Sequence, residues 1–124
     1  MMKNVVTWFE IPVIDMERAK KFYAEVMETS FEDNEMDGFK MAIFDCEEPA
    51  VGGMLVKAEG YEPSKTAAVI YLNGGDDLSG PLDRAVQSGA EVLWPKTAIN
   101  DGECGYFAQF SDSEGNRVGL YSKS

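Results

Sequence analysis

Val5 to Val26 read VVTWFEIPVIDMERAKKFYAEV, and the period of the pattern changes partway along. From Val5 to Val13 β-branched and aromatic residues dominate and the run closes near Pro12, which suits an extended strand. Asp15 then stands where a helix needs a cap, since its carboxylate can accept from an unpaired first-turn N–H, and Glu17 complements the positive end of the helix dipole. Ala19, Phe22, Tyr23 and Val26 follow at the i, i+3, i+4, i+7 spacing of one helix face, with Lys20, Lys21 and Glu25 on the other. The stretch is a strand feeding an amphipathic helix.

Three short strands are expected next, at 30–36, 39–44 and 51–56, separated by the Asp37-Gly38 turn signal and by 47–50. Residues 58–66, AEGYEPSKT, have no period and carry Gly60 and Pro63, so a connection is read there. The order then repeats. Residues 67–73 form an apolar strand, 74–79 a turn, and Pro81 fits the first turn of a helix whose apolar side is Leu82, Ala85 and Val86 and whose stop is Gly89. Strands at 90–95, 105–110 and 116–122 complete the second half, the last two joined by SDSEG. From the helix-capping Asp to the glycine of the last strand the interval is 38 residues in the first half (Asp15 to Gly53) and 42 in the second (Asp77 to Gly119). The expectation is one α+β domain over 1–124, made of two βαβββ modules, 1–58 and 67–124, joined by a linker at 59–66.

Composition narrows the chemistry. The chain has no histidine, which excludes from its own residues a Ser-His-Asp triad, a Cys-His pair, a His-ligated zinc and an imidazole base. Cys46 and Cys104 are far apart, without CxxC spacing, and read as free thiols. A net charge of −11 with no basic run opposes a nucleic-acid partner. No run of about 18 apolar residues suggests a membrane span and no leader-like segment opens the chain, so the expected location is the cytoplasm. Asp112, Glu114 and Asn116 alternate like calcium ligands, but the run is too short for an EF-hand loop and reads as a turn.

WFEIPVIDMERAKKFY (Trp8–Tyr23) resembles the opening of the vicinal oxygen chelate superfamily of glyoxalases, extradiol dioxygenases and bleomycin-resistance proteins. FSDSEGNRVGLYS (Phe110–Ser122) resembles its ending, and VIYLNGGDDL with RAVQSGAEVLWPKT resembles the second module of a glyoxalase-like branch. The resemblance implies two curled mixed sheets around a cavity, with metal ligands, in metal-dependent members, on the first and last strands of each module. A homodimer is also implied. The first-strand ligand place, seven residues before the capping Asp, is Trp8 here; its second-module counterpart is Ile70 or Val69, according to which Asp caps. The last strands offer Gly119, and one of Gly52, Gly53 or Met54. None is a donor for a hard or borderline divalent ion, so neither a metal nor another cofactor is expected.

Glu10 shares a strand face with Trp8, so an inward Trp8 places Glu10 inward too, as a base or hydrogen-bond anchor; the other reading leaves it solvated or paired with a cation. Trp8, Tyr71, Phe107 and Tyr121 are candidates for an aromatic lining, with Gln109 as a neutral polar contact and Gly119 as a void for close approach. The expected function is metal-independent binding of a small organic molecule, and the alternative is a glyoxalase-like lyase or isomerase with Glu10 as general base and Tyr71 or Tyr121 steadying the oxyanion.

Overall fold

The computed structural model describes residues 3–124, so Met1 and Met2, where the first module was placed to begin, lie outside the described residues. The first half runs β1 (Trp8–Pro12), α1 (Met16–Met27), β2 (Phe31–Met36), β3 (Phe39–Phe44) and β4 (Gly52–Lys57). The second runs β5 (Ile70–Asn73), α2 (Ser79–Gln87), β6 (Glu91–Ala98), β7 (Tyr106–Ser111) and β8 (Arg117–Ser122). The strand order is β1-β4-β3-β2 in one sheet and β5-β8-β7-β6 in the other. In both, the strand before the helix lies parallel beside the last strand, and the remaining pairs are antiparallel. This is the repeated βαβββ order expected from the sequence, as an α+β fold of two mixed sheets, neither closed on itself.

Local chemistry accounts for most boundaries. Asp15 caps α1 by accepting the Arg18 N–H, and Ala19, Phe22, Tyr23 and Val26 are the buried face. Asp37 and Gly38 both take positive φ, 50° and 82°, the pair a two-residue hairpin turn matched to strand twist requires. Three expectations need correction. β5 starts at Ile70 rather than 67, and β6 extends to Ala98 through two register shifts. The residue before the first turn of α2 is Leu78, not Asp77. The Leu78 N–H is taken by Ser122 Oγ, while Asp77 Oδ1 accepts the Ser79 N–H and the Lys96 ammonium outside the helix. Lys96, with Ser79, holds the Asp77 carboxyl down at about 2.

Both helices and one face of each sheet form a shared core. Ile11, Val13, Ala42 and Leu55 from the first sheet meet Leu72, Ala108, Phe110, Val118 and Leu120 from the second, with Phe22 stacked 5.9 Å from Phe110. The SDSEG turn does more than reverse the chain. Glu114 accepts the N–H groups of Ile14 and Asp15, each at 2.7 Å, and pairs with Arg18 at 2.7 Å. Asp112 accepts the fully buried Tyr23 hydroxyl at 2.6 Å, and Asn116 donates to the Pro12 carbonyl. The second half thus closes the N-terminus of the first helix and locks the halves together.

Candidate functional site

Strand alternation divides each sheet into a helix-facing side and a helix-free side. Phe9, Ile11 and Val13 belong to the core or pack against it, which turns Trp8, Glu10 and Pro12 to the helix-free side. In β8 Val118 and Leu120 are core residues, so Arg117, Gly119 and Tyr121 face the other way, as do Phe107 and Gln109 of β7. All six candidate residues therefore stand on helix-free faces. Trp8 (44%), Tyr71 (45%) and Tyr121 (38%) keep large exposed areas, enough for a ligand to touch.

The two halves repeat one device on this side. In the parallel pairs, Trp8 lies opposite Gly52 and Tyr71 opposite Gly119. A Cβ on Gly119 would overlap the Tyr71 ring; one on Gly52 would sit 3.5 Å from the Trp8 ring and 3.1 Å from Cys46 Sγ. Gly119 is the seat of the Tyr71 ring, while Gly52 leaves the Trp8 ring in ordinary contact and crowds only Cys46 Sγ. This corrects two expectations. The counterpart of Trp8 is Tyr71, not Ile70 or Val69, because the true start of α2 moves the seven-residue count by one and Ile70 faces the core. Gly119 is no void for a ligand, since Tyr71 fills it. At the four places where metal-dependent relatives would carry ligands the chain has two aromatic rings opposite two glycines, and that set does not fit a divalent ion. Among the described residues no three Asp, Glu or Cys side chains converge where they could hold one.

Around Tyr71 the second sheet builds a connected cluster. Gln109 donates to the Tyr71 hydroxyl oxygen at 2.6 Å and accepts from Arg117 at 2.7 Å. The Tyr71 O–H is left to donate to a ligand. Phe107 stacks edge-on to Tyr71 at 6.3 Å, and Trp94 lies 6.1 Å from Phe107. Tyr121 is the cross-strand neighbour of Phe107 and donates to the Cys104 carbonyl. Trp94, half exposed at 50%, went unread in the sequence. Val92 pairs with Phe110 but Trp94 with Gln109, so a register shift turns Trp94 to the face opposite the one plain alternation from Val92 would give it.

Trp8 and Glu10 stand on the other sheet, so the six candidates are not gathered into one pocket of a single chain. Glu10 is exposed rather than stripped of water. It accepts a 2.9 Å hydrogen bond from the hydroxyl of Tyr61, whose own proton is held more firmly as a result. Tyr61 belongs to the aperiodic linker, where no pattern could single it out. Where the halves meet, a cleft of about 180 Å³ is lined by Glu10 and Pro12, by linker residues Glu62 and Ser64, and by Asn116 and Arg117.

Known proteins share this architecture. A family model described as bleomycin resistance protein-like N-terminal matches residues 6–46. CFP32 of Mycobacterium bovis and Mycobacterium tuberculosis, whose name assigns it provisionally to the glyoxylases, is 28% identical over 120 residues, 92% of this chain. The chain spans 44% of that relative's length. TnmS3, an antibiotic binding protein from Streptomyces sp. CB03234, superposes with a TM-score of 0.68 at 25% identity, covering 100% of this chain and 99% of its own. A glyoxylase/bleomycin resistance protein/dioxygenase domain from Frankia sp. EAN1pec shares the fold, with a TM-score of 0.73 at 12% identity and 98% coverage of both chains. With the opening strand and helix, the repeated module and the closing SDSEGN segment in their expected places, the chain has the fold of these glyoxalase and bleomycin-resistance proteins and is similar to them along most of its length.

Proposed function

We propose that this chain binds a flat small organic molecule on the helix-free faces of its sheets, without a metal ion, as a homodimer. The observation that carries the reading is the matched pair of rings, Trp8 over Gly52 and Tyr71 over Gly119, at corresponding positions of both halves. Rings held in this way offer faces and edges for stacking, and Tyr71 adds a hydroxyl donor fixed by Gln109. The antibiotic binding described for TnmS3 supports the same kind of role. Glu10, the residue an enzymatic reading would use as a base, is engaged by Tyr61, and the tyrosines that would steady an oxyanion stand on the other sheet.

The test uses the two tryptophans, one on each half's helix-free face. Titration with a panel of uncharged planar aromatic compounds is expected to quench their fluorescence saturably, with the same affinity in the presence of a chelator. Binding that vanishes with chelator and returns with added zinc or manganese would overturn metal independence, and a flat response to the whole panel would overturn the binding role.

A further inference from the structure

The linker crosses the helix-free face of the first sheet and places a phenol on it. Tyr61 donates its hydroxyl to Glu10 Oε1 at 2.9 Å and sets its ring edge-on to Phe39 at 5.7 Å. On this side of β4, Met54 and Val56 are buried although they belong to no part of the helix-side core. After Tyr61 the linker is pinned to the second half: Ser64 N–H donates to Asn116, the Ser64 carbonyl accepts from the Arg117 N–H, and the Lys65 carbonyl accepts from Arg117 Nε. Before it, Gly60 is exposed and takes a φ of 88°. Tyr61 thus sits between the anchored 64–65 segment and a glycine turn closed by its own N–H on the Ala58 carbonyl, only half buried.

We infer that Tyr61 is an internal stand-in for the ligand and that the first sheet recognises phenolic aromatic compounds, whose hydroxyl replaces that of Tyr61 on Glu10. This deepens the binding role proposed above and rests on it. An ionised carboxylate only accepts hydrogen bonds, so its partner must bring a donor, and the place beside Phe39 already holds a ring, that of Tyr61. An anionic ligand is disfavoured. The chain carries a net charge of −11, and the Arg117 guanidinium is already engaged by Gln109 and the Lys65 carbonyl. The linker then acts as a strap that yields to a ligand offering the same two contacts.

Calorimetric titration at neutral pH with 2-naphthol and with naphthalene, which differ only in the hydroxyl, tests this directly. The expected result is about tenfold tighter binding of 2-naphthol to the unmodified chain, the typical worth of one charge-assisted hydrogen bond. Tyr61→Phe keeps the ring but removes the hydrogen bond that any occupant must break, and is expected to strengthen binding of both compounds several-fold while the preference for 2-naphthol persists. Glu10→Gln is expected to erase most of the preference. Equal binding of the two compounds, or a preference that survives Glu10→Gln, overturns the phenol assignment and leaves the binding role intact; binding of neither compound overturns both.

Discussion

Gly119 shows how much one missing Cβ decides. Its backbone accepts the Tyr71 ring, and the contact reaches the root of that ring rather than its flexible tip. Tyr71 cannot yield to a methyl group by a small rotation. Gly119→Ala is therefore expected to cost about 1–3 kcal/mol of stability, the usual range for overpacking. It should also push Tyr71 off Gln109 and weaken ligand binding on the second sheet, while leaving events at Trp8 untouched. Thermal melts give the first effect, and separate titrations of Trp8→Phe and Trp94→Phe versions give the second. A Gly119→Ala protein that melts like its parent and binds equally well would remove the ring-on-glycine account. Much of this site was legible in the sequence: the facing of Trp8, Glu10 and Tyr121 follows from alternation along uninterrupted strands. Trp94 and Tyr61 were not legible, because a register shift inverts one and the other sits in a segment with no period.

At the scale of elements, α1 depends on a turn nearly a hundred residues away in sequence. Glu114 takes the N–H groups of Ile14 and of the capping Asp15, just ahead of the first turn, and brings a charge to the positive end of the helix dipole. Burial of this side chain, whose exposure is 0%, pushes its carboxyl up; the Arg18 guanidinium and the N–H groups of Asp15 and Ile14 outweigh burial and hold it at about 2, below its ordinary 4.5. The folded state thus binds the proton less readily than the unfolded one. The stabilisation is complete above about pH 4.5 and is lost as the pH falls from there through about 2. A shift of this size corresponds to roughly 3 kcal/mol. Glu114→Gln is expected to lower the melting temperature at pH 7 and to flatten its decline between pH 5 and 2.5; an equally steep decline in the variant would assign acid lability elsewhere. The elements themselves were readable because period and cap residues are local. What no local pattern revealed is that SDSEGN, read as a bare turn, staples the two halves, since its partners at Ile14, Asp15, Arg18 and Tyr23 are distant in sequence.

For the whole molecule the decisive quantity is the space one chain can enclose. The cleft between its halves holds about 180 Å³, less than the roughly 300 Å³ at the lower end of small-molecule sites, and the larger hollows beside Tyr71 and Tyr121, about 540 and 420 Å³, lie open to solvent. Meanwhile Trp8, Tyr71, Trp94 and Tyr121 stand exposed on open sheets. Open faces of this kind give a flat ligand one side to stack on and leave its other side in water, so tight binding needs a second wall. In the homodimer proposed above, a second copy would supply one by symmetry, bringing the same rings to both sides of the ligand. Sedimentation at micromolar concentration is expected to show a species of twice the chain mass, and dilution that dissociates it should release bound 2-naphthol in step. The same rings make the converse measurable. Placing a charge in the second-sheet cluster, as Trp94→Asp, should shift the population towards single chains and lower affinity together, whereas a single chain that retains full affinity would mean that one open face suffices and that pairing has no part in recognition.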